Sequence, residues 1–166
     1  SCRATRFVFT SSPSVTFNGS AQEGVDESAP FPQDDQWLAH YPHSKALAEQ
    51  AVVSANGDGG LATTALRPHL IWGPRDTQLI PRLLARARAG RLRRIGDGAN
   101  RIDMIHVENA AAAHLAAADA LTAPDSAPAG NAYFLSQGEP VNCWDWIDDI
   151  LSQADLPPVQ KAISLK

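Results

Sequence analysis

The chain has 166 residues, 44% of them hydrophobic and 19% charged, with a formal net charge of -4. This length suits one globular domain, whose folding buries roughly 70% of the surface that the unfolded chain exposes. The acidic balance excludes a general pull toward nucleic acid or anionic lipid, no apolar run is long enough to span a bilayer, and the two distant cysteines, Cys2 and Cys143, form neither a disulfide framework nor a zinc site.

Residues 6–10, RFVFT, are aromatic and β-branched and run into Ser11-Ser12-Pro13, which predicts a short buried strand ending in a loop. The opening SCRATRFVFTSS lacks the long apolar segment of a signal peptide, so a soluble, cytoplasmic setting is expected. Residues 18–36 are rich in Gly, Pro, Asp, Gln and Ser and read as a long surface loop, a class that is often functional. A helix is predicted from about Leu38 to Ser54, with Leu38, Leu47, Ala48 and Ala51 as its apolar contacts. Pro42 fits it only in the first turn, where its missing N–H is not needed. Residues 61–71, LATTALRPHLI, read as the next strand, followed by a Trp72-Gly73-Pro74 turn. Asp76 or Thr77 can cap a helix running to about Ala89. A short strand is expected at 93–95, an extended segment at 101–107 and an alanine-rich helix at 109–121. Residues 132–136 read as a last strand, and Asn142 can cap a final helix from Cys143 to about Ala154. Strands alternating with helices predict an α/β fold with a largely parallel sheet.

Tyr41 and Lys45 stand four apart in the first predicted helix and so share a face. A free phenol has a pKa near 10, and a neighbouring ammonium favours its ionised form. A tyrosine tuned in this way can give a proton to a carbonyl oxygen or take one from an alcohol. A bare Y-x-x-x-K pattern is common by chance and by itself reads as a packing tyrosine beside a solvated lysine. Ser12 changes that reading. It lies at the C-terminal end of a predicted strand, where sites of open α/β sheets lie, and its hydroxyl can steady a substrate oxygen as charge develops there.

At FVFTSSPSVTFNG, YPHSKALAEQAV, ALRPHLIWGP, RAGRLRRIGDGANRIDMIHVENAAAAHLAA and AYFLSQGEP, the sequence resembles the extended short-chain dehydrogenase/reductase family, and within it the 3β-hydroxysteroid dehydrogenase/isomerase-like branch. The resemblance covers most of the chain, in the family's order. It implies part of a Rossmann-like, doubly wound parallel sheet with a small substrate-binding region. Residues 1–75 would belong to the dinucleotide-binding domain and 76–166 mostly to the substrate region, with some elements returning to the main sheet. By the same resemblance, Tyr41 is the general acid/base, Lys45 lowers its pKa and binds the nicotinamide ribose, and Ser12, with Ser11 as the alternative, polarises the substrate carbonyl. Pro68 and His69 would lie against the nicotinamide of NAD or NADP. The family's Gly-rich pyrophosphate turn does not occur here: in Gly96-Asp97-Gly98, Arg101 stands where a third glycine would be. The chain is therefore expected to be the C-terminal part of a longer enzyme, stopping short at its C-terminus as well, and to bind dinucleotide poorly alone.

Sugar-nucleotide relatives usually carry Asn at the position of Leu70, and a nearby arginine that grips the diphosphate, a role Arg101 would echo. Leu70, Trp72, Phe17 and Val15 instead suggest an apolar pocket, although Val15 also reads as core. The expected activity is interconversion of a ketone and a secondary alcohol on a lipid-like substrate of the 3β-hydroxysteroid or 2-alkyl-3-oxoalkanoate type. The alternatives are a nucleotide-sugar epimerase or dehydratase, or a non-catalytic cofactor-binding or interaction protein. Arg82, Arg86, Arg88, Arg91, Arg93 and Arg94 read as a solvated helix face, Ala110–Ala113 as tight helix packing, and Trp144 and Trp146 as one buried and one boundary residue. The five histidines lack partners at zinc spacing, so no metal is expected. The expected partners are a small apolar molecule and, in the full-length protein, a second copy.

Overall fold

The computed structural model describes residues 4–164, and Cys2 lies outside that range. The elements are β1 (Arg6–Thr10), a 3-10 turn (Pro13–Thr16), α1 (His40–Ser54), a second 3-10 turn (Asp58–Gly60), β2 (Ala62–Pro68), β3 (Leu70–Trp72), α2 (Leu79–Arg88), β4 (Arg94–Ile95), β5 (Arg101–Ile102), β6 (Met104–His106), α3 (Val107–Ala120), β7 (Ala132–Leu135), β8 (Val141–Asn142), α4 (Cys143–Gln153) and β9 (Ala162–Ile163). They fall into two compact units, one of residues 1–69 and 108–135, the other of residues 70–107 and 136–166. None of the described helices is long and apolar enough to cross a membrane.

The first unit is built on a parallel sheet in the order β1-β2-β7. Central strand β2 is buried along all seven residues, as expected of a parallel strand covered on both faces. Two of its buried polar residues find side-chain partners: Thr64 donates its hydroxyl to the Asn131 carbonyl at 2.9 Å, and Arg67 pairs with Glu49 of α1, whereas Thr63 Oγ1 and Arg67 Nη1 have no hydrogen-bond partner among the described residues. Helix α1 begins at His40, which sets Pro42 in the first turn as the sequence requires. Its buried face is Ala46 and Glu49, whereas Leu38, Leu47 and Ala51 are exposed and Ala48 is half-buried. The apolar stripe expected from Leu38, Leu47, Ala48 and Ala51 is thus corrected. The side turned inward is the one that carries the ion pair. In α3 only Ala110 of the Ala110–Ala113 run is buried, and Ala111 and Ala112 face solvent.

The predicted strand over 61–71 is in fact two strands. Pro68 ends β2, whose partner on that side is β7, and after His69 the chain resumes as β3, which pairs in parallel with β6 in the second unit. That unit also contains the pairs β4–β9, parallel, and β5–β8, antiparallel. Its core is Trp144, Ile147, Leu151 and Val159, packed by Leu83, Leu84 and Ala87 of α2. Trp146 is half-buried, against fully buried Trp144. Asn142 caps α4, its side-chain oxygen accepting from the N–H of Trp144 (2.8 Å) and Asp145 (3.2 Å). Arg82, Arg86, Arg88 and Arg91 are exposed, but Arg94 departs from the expected solvated face. It pairs with Asp148 and donates Nε to the Val159 carbonyl at 2.9 Å, closing β4 over α4. Gly73, after β3, has φ +137, and a Cβ there would lie 2.8 Å from both His106 Nε2 and Val107 Cγ1. Only glycine fits that conformation and that gap.

Asp76 caps the start of α2. Its Oδ1 accepts from the N–H of Gln78 (2.8 Å) and Leu79 (3.0 Å), and its Oδ2 from Ile80 (2.6 Å). These bonds, that of Ile80 foremost, hold its carboxyl below the ordinary carboxylate value. A carboxylate lowered in the folded state stabilises above its unfolded pKa, and the contribution fades as pH falls through the lowered value. Asp76→Ala should therefore cost about 1 kcal/mol near neutral pH, read as a melting temperature about 2–4 °C lower. Asp76→Asn should keep most of the cap but flatten the loss of melting temperature on acidification.

Candidate active site

The residues singled out at Ser12, Tyr41 and Lys45 all belong to the first unit. Parallel register pairs Thr10 with Leu66, and the Ser11 N–H donates to the Leu66 carbonyl at 2.6 Å. The C-terminal ends of β1 and β2 therefore lie side by side, with Ser11-Ser12 leaving one and Pro68-His69 closing the other. Lys45 reaches this edge from α1. Its ammonium donates to the Thr10 carbonyl at 2.9 Å and lies 4.9 Å from the centre of the Phe9 ring. An ammonium carries three N–H donors, so two remain beyond the Thr10 bond.

Tyr41 stands one turn earlier on α1, 58% exposed. Among the described residues its hydroxyl makes no hydrogen bond, and its backbone carbonyl accepts from the Ser44 hydroxyl at 2.9 Å. Trp37, at the end of the long loop, stacks on His43 with ring centres 5.0 Å apart and so fixes the entry to the helix. Thr10 is held on a second side as well. Its hydroxyl lies 2.8 Å from His114 Nε2, and His114 Nδ1 lies 2.7 Å from the Ala110 carbonyl. A carbonyl only accepts, so the neutral ring carries its proton on Nδ1 and accepts from Thr10 at Nε2.

Ser12 is 8% exposed and caps the first 3-10 turn. Its Oγ accepts from the Ser14 N–H at 3.2 Å and lies 2.8 Å from Ser14 Oγ. When Ser14 donates in that contact, both lone pairs of Ser12 are engaged, and its own hydrogen is left for an outside acceptor. Ser11 is buried too, and its Oγ has no hydrogen-bond partner among the described residues. Pro68 is buried at the end of β2. The His69 N–H is engaged by the Leu135 carbonyl at 2.8 Å, and its ring meets Phe134 with centres 5.7 Å apart. The His69 N–H thus already has a partner while β7 stays paired.

The four residues expected to form an apolar pocket are divided. Val15 is fully buried core in the first unit, where Phe17 is exposed, while Leu70 and Trp72 belong to the second. Leu70 is exposed. Trp72 packs edge-on against His106 and Trp146, at 5.2 and 6.3 Å, and lines a cavity of about 410 Å³ with Ile71, Gly73, Pro74 and Val107. Arg101, compared above with a diphosphate-gripping arginine, instead donates to the Pro140 carbonyl. The described residues hold no cluster of His, Cys, Asp or Glu suited to a metal ion.

Sequence reading missed Glu49 and Arg67, which join the helix of Tyr41 and Lys45 to the strand ending at Pro68. The signal was available: an arginine inside the otherwise uncharged run LATTALRPHLI, and a glutamate one turn beyond Lys45.

Comparison with known proteins places these features in a wider set. The 3-beta hydroxysteroid dehydrogenase/isomerase family matches residues 1–166. A 2-alkyl-3-oxoalkanoate reductase of Stenotrophomonas maltophilia is 50% identical, covering 99% of this chain and 50% of that protein. One from Shewanella oneidensis is 43% identical, covering 95% of this chain and 42% of that protein. The chain thus spans about half the length of the curated relatives it matches. A crystal structure of dTDP-glucose 4,6-dehydratase from Bacillus anthracis in complex with NAD superposes with a TM-score of 0.67 at 20% identity, covering 96% of this chain and 49% of that one, and shows the shared Rossmann-type fold.

Because Ser12 caps a turn, its substitution has a structural effect apart from any chemistry. Ser12→Ala should lower stability by about 1 kcal/mol, measured by denaturant unfolding. Ser12→Thr should keep most of it. Equal midpoints for Ser12→Ala and the native protein would contradict the cap.

Proposed function

Because the chain belongs to the 3-beta hydroxysteroid dehydrogenase/isomerase family, we propose that it carries the proton-handling part of an oxidoreductase that interconverts a ketone and a secondary alcohol on a lipid-like molecule. The observation that carries this reading is the Lys45 bond to the Thr10 carbonyl. It holds an ammonium at the strand edge two residues before Ser12, one helical turn from an exposed phenol.

The donor set there fits the nicotinamide riboside end of NAD or NADP. Among the described residues, Lys45 has two unengaged N–H donors for ribose hydroxyls and Tyr41 presents a hydroxyl without a partner, and the ends of β1 and β2 form one edge at Ser12 and Pro68. When bound, the dinucleotide would supply or accept the hydride. The chain's own groups handle the oxygen. In the reducing direction Tyr41 gives its proton to the carbonyl oxygen, and in the oxidising direction it takes one from the alcohol. Lys45 orients the ribose and places positive charge where the phenol oxygen turns negative. Ser12 directs its hydroxyl hydrogen at the same substrate oxygen and stabilises it as charge grows. With Ser14 as the donor in their contact, Ser12 is held through both lone pairs and needs little rearrangement at the moment of reaction.

The substrate class rests on the relatives. The two 2-alkyl-3-oxoalkanoate reductases are named for a ketone on an acyl chain. A long-chain β-keto acid is accordingly the first substrate to try, with a UDP-sugar as the contrasting probe.

Made in the full-length protein, Tyr41→Phe should lower turnover of the β-keto acid by about 10²–10⁴-fold, measured by nicotinamide absorbance, with the fold unchanged by circular dichroism. Turnover within a few-fold of the native protein rules out the role given to Tyr41. Turnover of the UDP-sugar in preference to the keto acid overturns the substrate class alone.

A further inference from the structure

Glu49 and Arg67 are the only charged residues among the buried ones described, at 2% and 3% exposure. Arg67 Nε lies 3.1 Å from both carboxylate oxygens of Glu49, and Nη2 lies 2.5 Å from Oε1. The guanidinium is flanked by the rings of Phe31 and Phe134, at 5.6 and 5.0 Å. Phe31 comes from the long loop, and the same loop sends the Glu27 carboxylate to the Phe134 N–H at 2.8 Å.

Stability does not account for this arrangement well. A buried ion pair is often no better than well-packed apolar residues of the same volume. It differs in geometry, because a planar fork facing a carboxylate fixes both direction and rotation. Glu49 is one turn beyond Lys45 and two beyond Tyr41 on α1, while Arg67 immediately precedes Pro68 on β2. The Lys45 bond to Thr10 cannot set the rotation of the helix, since it acts through a flexible four-carbon stem.

We infer that Glu49 and Arg67 are positioning residues, which lock the rotation of α1 against β2 and so keep the Lys45 ammonium on the Thr10 carbonyl and Tyr41 at the strand edge. The inference rests on the oxidoreductase reading for its link to turnover, but its geometric part can be tested without it. Neither residue touches the reacting atoms.

The test replaces the pair by apolar residues of similar size, Glu49→Leu with Arg67→Met, and uses Arg67→Lys as a second variant that keeps the charge and loses the fork. Lys45 is one of three lysines, the others being Lys161 and Lys166. Its rate of acetylation can therefore be read by mass spectrometry against Lys161 in the same sample. The expected result is a melting temperature close to that of the native protein and Lys45 labelling about fivefold faster relative to Lys161, as the local hold loosens. With the β-keto acid, kcat should fall about tenfold or more while KM moves little. If Lys45 labelling is unchanged in a variant that folds, the positioning role is overturned. Should the full-length protein that contains these residues turn over no ketone with NADH or NADPH supplied, the oxidoreductase reading fails, and the labelling rates still decide the positioning. Should the double variant not fold, Arg67→Lys decides by the same two readings.

Discussion

A charge pair sealed between a helix and the central strand governs the first unit. Arg67 is 3% exposed in a strand with every residue buried, and Glu49 supplies the matching charge from α1. Loss of one partner from such a pair typically costs about 3–5 kcal/mol, because the other charge is left unpaired. This constraint explains why α1 turns an almost featureless face inward. A small alanine, Ala46, and the carboxylate of Glu49 occupy the contact, and larger apolar side chains such as Leu47 are displaced to the outside. The helix is placed by one specific interaction more than by an apolar stripe.

The chemistry proposed at the sheet edge follows from that placement. Parallel strands end together, and their ends collect the side chains that can act on a common object. Ser12 and Pro68 come to that edge from adjacent strands, and Lys45 crosses to it from the helix. Thr10 is the meeting point, its carbonyl engaged by Lys45 and its hydroxyl by His114 of α3. Two helices thus grip the last residue of β1 from different atoms, and the loop carrying Ser12 departs from a fixed backbone.

Much of this was legible in the chain itself. The strand at 6–10, the helix with Pro42 in its first turn, and the Asn142 cap all follow from local chemistry: β-branching, a missing N–H, an amide oxygen facing free N–H groups. The burial expected of the strand at 6–10 does not: its residues are exposed or half-buried, with Phe7 46% exposed, because among the described residues β1 pairs along one side only, with β2. Local rules failed where long-range pairing decides. Nothing local in LATTALRPHLI announces that its two ends join different sheets, since β7 and β6 come from far along the chain. The two-residue strands β8 and β9 exist only through their partners and carry no periodicity. The inward face of α1 was misread because a buried glutamate looks like a solvent-facing residue until its arginine is found. Ser12, Tyr41 and Lys45 could be picked out by spacing and by position at a strand end, whereas the division of Val15, Phe17, Leu70 and Trp72 between two units is a tertiary fact.

Gly73 limits how the cavity around residues 71–77 can diversify. Its backbone angle and the nearness of His106 and Val107 each bar a side chain, so no single substitution relieves both. Variation there has to run through the neighbours, and Arg75 is itself held at φ 68, a conformation few side chains favour, which leaves exposed Thr77 as the more tolerant position. A saturation library across this segment would return fixed points at 73 and 76, a constrained one at 75 and a tolerant one at 77, so the turn's shape is set by backbone geometry more than by side-chain choice.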